Sequence, residues 1–224
     1  MIDYFNNIIK IMSEYWDVFL VTGVGYTLLL SFITVFFGAI LGVFLCLGRM
    51  ANFKPLNWVV IAIVEVVRGT PILLQLYIGY FLVPKILPFT VPDFLSVCIA
   101  LIINSAAYTS EIFRSGIQAV DKGQTEAARS LGLSASQTMT RIILPQAIKN
   151  ILPALGNEFV MIIKETSLAS TFFVGELMTS YLKVKGNTYL TMECLLIVGV
   201  IYFAMTSVLS KLLSIFERRL KAND

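Results

Sequence analysis

The chain has 224 residues, 57% of them hydrophobic and only 14% charged, with a mean hydropathy of +0.82. A soluble domain carries about 25% charged residues, so this composition excludes an ordinary water-soluble fold, and the length allows one compact domain. The net charge is +3 and histidine is absent, which removes imidazole metal sites and Ser-His or Cys-His catalysis. Membrane topology accounts for the charge without nucleic acid.

Residues 1–17 hold Asp3, Glu14 and Asp17 against Lys10 and lack the basic start of a cleaved leader. They are read as an external N-terminal segment before a first span that inserts and stays. The run 18–48 contains no Asp, Glu, Lys or Arg. A hydrocarbon core of about 30 Å needs roughly 20 apolar residues in a helix, so this run spans with length to spare. Within it Gly38 and Gly42 form a small-xxx-small face, read as helix packing, with contact to a second copy as its other use.

The second span lies within 57–83 and is interrupted by Glu65-Val66-Val67-Arg68-Gly69-Thr70-Pro71. Proline removes a helix hydrogen bond, which predicts a kink or break at Gly69 to Pro71. A charge inside a span costs at least about 2.5 kcal/mol and is normally paired or faces water. Glu65 is the obvious partner for Arg68, with Glu111 as another. This is read as a structural ion pair ahead of direct substrate contact.

The third span, about 94–110, contributes Asn104. After it comes a polar, basic island, 121–153. Glu126-Ala127-Ala128-Arg129-Ser130-Leu131 is a strong helix-forming run, and Gly132 is placed to supply the left-handed residue that ends it. Ser134-Ala135-Ser136-Gln137 has the spacing of a capping box and opens a second helix. A loop this ordered is read as something another protein grips.

The fourth span, about 142–163, continues through polar positions. Gly156-Asn157-Glu158-Phe159 and Lys164-Glu165-Thr166-Ser167-Leu168 put Glu158 and Glu165 seven residues apart, on one helix face. Such a face avoids lipid. A substrate pathway and internal packing polarity remain open on physical grounds, with Gln75 and Asn104 as candidates for the opposite wall. The fifth span covers about 194–210. Lipid cannot satisfy backbone polar groups, and five hydrophobic blocks with little alternation make helices rather than a barrel.

With the N-terminus outside, the inward segments hold Arg49, Lys54, Arg114, Lys122, Arg129, Arg141, Lys211, Arg218, Arg219 and Lys221. The outward ones hold Lys10, Lys85, Lys183 and Lys185. This asymmetry sets the C-terminus in the cytoplasm. The expected organisation is a single transmembrane domain, 18–216, with a cytoplasmic loop at about 115–141 and a cytoplasmic tail, 217–224. Cys46, Cys98 and Cys194 lack ligand spacing and read as buried small hydrophobes.

The island reproduces the pattern EAA, three residues, Gly, nine residues, I-x-L-P, in Glu126-Ala127-Ala128, Gly132 and Ile142-Ile143-Leu144-Pro145. This resembles the signature of the membrane subunits of binding-protein-dependent ABC importers. Arg68-Gly69-Thr70-Pro71, Asn104-Ser105-Ala106-Ala107-Tyr108, Leu144-Pro145-Gln146-Ala147, Gly156-Asn157-Glu158-Phe159 and Lys164-Glu165-Thr166-Ser167-Leu168 are similar to the polar amino acid branch. That branch often has Asp at the position of Glu165. The resemblance extends over about 18–216.

The resemblance implies an all-α integral membrane protein with five transmembrane helices, the permease fold of type I ABC importers, in the bacterial cytoplasmic (inner) membrane. It implies a second permease subunit, identical or related, a pair of ABC ATPase subunits, and an extracytoplasmic amino-acid-binding protein. Glu126, Ala127, Ala128 and Gly132 match the loop that couples to the ATPase. A polar L-amino acid would be held near mid-membrane by Gln75, Asn104, Glu158, Glu165, Thr166 and Ser167, while Arg68, Gly69, Pro71 and Pro145 take structural roles. No G-x-x-x-x-G-K-[ST] occurs, so no cofactor is expected on this chain, and ATP and Mg belong to the partner. An ion-coupled secondary transporter is the alternative, although no internal repeat supports it. A membrane enzyme lacks a metal or nucleophile constellation.

Overall fold

Every hydrophobic block condenses into helix in the computed structural model, which describes residues 2–221; no strand occurs among them. Met1 and residues 222–224 of the expected tail lie outside the described residues. Helix α1 (Ile2–Trp16) runs through a π-helical turn, Asp17–Gly23, into α2 (Val24–Met50). The continuous stretch Asp3–Met50 counts 48 residues. It is not one straight rod, since Tyr15 (φ −126, ψ 19) kinks it just before the π-helical turn, and the part before the kink extends past the span read at 18–48. Its first part is not loose: Ile8, Ile11 and Met12 pack on Cys194, Ile197 and Val198 near the start of α10.

Helices α3 (Lys54–Arg68) and α4 (Ile72–Ile86) meet at 108°. The expected break is therefore present, and its stop is chemical: Pro71, extended at φ −62 and ψ 133, caps α4 and has no N–H to continue α3. Helix α5 (Asp93–Gln118) is the central element, 61% buried along its most apolar window against 28% for the α1–α2 stretch and 22% for α10.

Helix α2 lies along α5 in the same direction. A Cβ on Gly38 would sit 2.7 Å from Ser105 Oγ, and one on Gly42 would sit 2.2 Å from Thr109 Oγ1. The Thr109 hydroxyl donates to the Gly38 carbonyl at 3.0 Å. The small-xxx-small face is thus used within the chain, where it brings two backbones together.

Helices α6 (Lys122–Ser130) and α7 (Ala135–Thr138) form the polar elbow. A π-helical turn, Met139–Ile143, leads into α8 (Leu144–Glu165). Pro145 falls in the first turn after that widening, where its missing N–H and its ring are accommodated. Helix α8 runs antiparallel to α5, since Gly116 meets Ile151 while Ser105 flanks Glu158. A 3-10 segment, Thr166–Phe172, then α9 (Leu177–Thr188) and α10 (Thr191–Lys221) complete the chain. Leu213 of α10 closes on Gly156 of α8.

Among the described residues three helical stretches are long and apolar enough to cross a membrane, and the bent α3–α4 pair makes a fourth. Helix α8 is long enough at 22 residues but is not among them; Gln146, Lys149, Asn150, Asn157 and Glu158 make it too polar. Cys46, Cys98 and Cys194 are free and buried. Many large apolar side chains, such as Phe44, Phe203 and Val200, stay exposed, as a lipid-facing surface requires.

Candidate functional site

The elbow is built by its own caps. Asp121 opens α6 by accepting from the Gly123 N–H at 2.6 Å. At the other end Gly132 adopts φ +83, its N–H reaches the Arg129 carbonyl at 3.0 Å, and the Leu133 N–H reaches the Ala128 carbonyl at 3.1 Å. This is the paired bonding of a Schellman turn, which needs a left-handed residue and favours glycine. The capping box is complete: Ser134 Oγ accepts from the Gln137 N–H at 3.2 Å, and Gln137 Oε1 accepts from the Ser134 N–H at 2.9 Å. Glu126, Ala127 and Gly132 are exposed, Leu131 is 84% exposed, and Ala128 turns inward at 4%. The structure therefore presents three of the four expected coupling positions on a projecting surface and uses the fourth to seat it.

At the α3–α4 break the freed carbonyls find side chains. Gln75 Nε2 donates to the Val67 carbonyl at 2.6 Å and to Thr70 Oγ1 at 2.8 Å. Thr70 Oγ1 donates to the Val66 carbonyl at 2.9 Å. Asn104 Nδ2 then donates to Gln75 Oε1 at 2.9 Å, so these two residues, expected on one wall, are in direct contact. Their amides stitch the break to α5.

Glu158 is 6% exposed, beside Ser105 and close enough to Glu165 to feel its charge. Glu165 is half-buried, and both carboxylates lie along the same side of α8. Thr166 Oγ1 donates to the Ile163 carbonyl at 2.8 Å and Ser167 Oγ to the Lys164 carbonyl at 2.6 Å; both hydroxyls bond back into their own helix. The seam thus groups Glu158 with Ser105 and Glu165, and Gln75 with Asn104.

Of the two partners expected for Arg68, the structure selects Glu111 over the favoured Glu65. Glu65 is exposed, and Arg68 pairs with Glu111 at 3.8 Å and lies over the Tyr108 ring at 5.4 Å. Glu111 also accepts from Arg49 at 2.6 Å and bonds Arg114 through its other oxygen. Sequence spacing favoured Glu65 because it stands one turn away, but the 108° bend turns Arg68 toward α5. Arg114 stands three residues after Glu111 on α5, a spacing at which helical side chains pair, whereas Arg49 carried no pairing signal other than sign.

Glu176 was missed altogether. It is fully buried and caps α9: its carboxylate accepts from the Met178 and Thr179 N–H groups at 2.6 and 2.7 Å, from Thr179 Oγ1 at 2.9 Å and from the Tyr202 hydroxyl at 3.1 Å. Glutamate is not among the usual N-cap residues, so no local pattern in the sequence marked it.

Residues 34–222 match the family described as binding-protein-dependent transport system inner membrane component. The arginine transport system permease protein ArtQ of Bacillus subtilis is 40% identical over 206 residues, covering 92% of this chain and 94% of the relative. The L-cystine transport system permease protein TcyB of the same organism is 36% identical over 214 residues, 94% of this chain and 89% of the relative. A crystal structure of an amino acid ABC transporter with histidines superposes with a TM-score of 0.88 at 45% identity, over 93% of this chain and 96% of that one.

Proposed function

This chain belongs to the family of binding-protein-dependent transport system inner membrane components, and from that membership we propose that it is the permease subunit of an importer for a polar L-amino acid. The substrate class follows the arginine and cystine carriers among its relatives. The chain crosses the bacterial inner membrane five times, by α2, the α3–α4 pair, α5, α8 and α10. The parallel packing of α2 and α5 supports this count, because the chain between them must return across the bilayer. The excess of inward lysine and arginine supports an outside N-terminus.

The observation that carries the reading is the doubly capped elbow, with Glu126, Ala127 and Gly132 exposed on it. A partner ATPase dimer closes on ATP and Mg, moves two such elbows, and opens the helices outward; hydrolysis resets them, which is alternating access. A second permease subunit, identical or related, and an extracytoplasmic binding protein complete the assembly. Gln75, Asn104, Glu158, Glu165, Thr166 and Ser167 form the substrate seam, with the carboxylates meeting an ammonium or another cationic group. The ion-coupled alternative has no observation in its favour.

Replacement of Glu126 by Ala or Gly132 by Val is expected to leave ATP hydrolysis running while uptake in reconstituted liposomes falls. Normal coupling of the two in both variants would count against the docking role.

A further inference from the structure

We propose that Lys164 receives the α-carboxylate of the transported amino acid; this deepens the reading above and rests on it. A zwitterion needs a cation as well as an anion in its site. The seam already described supplies Glu158 and Glu165 but no positive charge, and Arg68 is engaged by Glu111 and Tyr108. None of the ion pairs among the described residues includes Lys164, although its charge acts on the neighbouring Glu165.

The depth of Lys164 follows from packing. Glu158 is level with Gly38 of α2, because Ser105 flanks the one and would meet a Cβ on the other. Phe159 shares an apolar groove with Phe32, Phe36 and Ala39. Leu168, one turn beyond Lys164, packs on the cluster that holds Leu30 and Ile33. Lys164 therefore lies level with about residue 33, the midpoint of the charge-free run 18–48. This holds whichever end of α8 faces the cytoplasm. At that depth a headgroup is about 15 Å away, beyond the reach of a four-carbon stem, so the ammonium does not snorkel to the interface.

Yet Lys164 is exposed on this chain, as are Asn150 and Asn157. The three stand seven residues apart, two helical turns each, and form one polar line along α8. Lipid is not a tenable neighbour for that line. It borders the water path between this subunit and its partner, running from mid-membrane toward one mouth. The line sits beside the Glu158–Glu165 face, so a cation and two carboxylates stand on adjoining sides of the same helix. An amino acid laid across them has its ammonium toward Glu158 or Glu165 and its carboxylate toward Lys164.

The test is direct binding, without the binding protein and its own selectivity, to the permease assembled with its ATPase and partner subunit in nanodiscs. A panel of L-amino acids is titrated, and the tightest binder is compared with its α-carboxamide. The wild-type complex is expected to prefer the acid by about tenfold or more, the range of one charge-assisted contact. Lys164→Met should bring acid and amide within about twofold, and Lys164→Arg should keep the preference. Glu158→Gln should weaken both ligands while leaving their ratio. An undiminished preference in Lys164→Met overturns the assignment. So does a Lys164→Met complex that falls apart while Lys164→Arg stays assembled, which would make Lys164 a subunit-joining ion pair. Absence of saturable binding of any amino acid by the wild type would overturn the transport reading itself along with the lysine.

Discussion

Glu111 draws guanidinium groups from three helices, Arg49 of α2, Arg68 of α3 and Arg114 of α5, onto one carboxylate. Glu111→Gln leaves three cations facing one another with no anion. The group is partly exposed, at 23% for its side chain, so screening moderates the loss to about 1–3 kcal/mol. A lower melting temperature of the solubilised protein is the expected result, and an unchanged one would show the cluster to be idle. Glu158 is the second residue whose burial demands a role. Glu158→Gln keeps the volume and removes the charge, so uptake is expected to weaken while the complex still assembles. Unchanged transport kinetics in liposomes would remove Glu158 from the seam. At this scale the sequence identified which charges were anomalous, since a carboxylate or guanidinium inside an apolar run is visible by composition alone. Pairing was visible only in part: Glu111 and Arg114 stand three residues apart, but for Arg68 the sequence offered Glu65 and Glu111, and the bend decided for the more distant one.

The elements were legible where local chemistry acts alone. The break at Gly69 to Pro71, the Gly132 turn and the Ser134–Gln137 capping box each depend on residues within about one turn of one another. Elements that depend on distant partners were less so. From its sequence the N-terminal segment is given no helix of its own, yet it forms α1, whose apolar side packs on α10. A helix stands where the fourth span was read, yet its polarity keeps it from qualifying as a span by composition; α5 shelters Glu158 of this helix but not Asn150 or Lys164. The contact of α2 with α5 gives the sharpest prediction at this scale. Gly42→Val would drive a side chain into Thr109 Oγ1, where even a Cβ sits 2.2 Å away. Two packed backbones must separate, and a cost of about 2–4 kcal/mol is expected. The readout is a loss of monodisperse protein on extraction, and a normally folded Gly42→Val would contradict the tight packing of α2 on α5.

For the whole molecule, the relative directions of the central helices follow from contacts: α2 runs with α5, and α8 runs against both. The absolute direction rests on the charge asymmetry. Because the three native cysteines are buried, single-cysteine labelling tests it with little background. Tyr189→Cys, at a site 87% exposed between α9 and α10, should react with an impermeant maleimide in intact cells. Ser136→Cys on the elbow should react only after the membrane is opened. The reverse pattern would invert the topology.

The sequence by itself determined the solvent, the class of fold, the family and the shape of the elbow, because hydropathy and helix caps are properties of contiguous residues. Only the tertiary structure decided that Gly38 and Gly42 serve α5, that Glu111 and not Glu65 holds Arg68, that Gln75 and Asn104 bond each other, and that Lys164 stands exposed at mid-depth. These facts join residues tens of positions apart. They depend on where helices cross and how far a broken span bends, and no local pattern of residues encodes such distances.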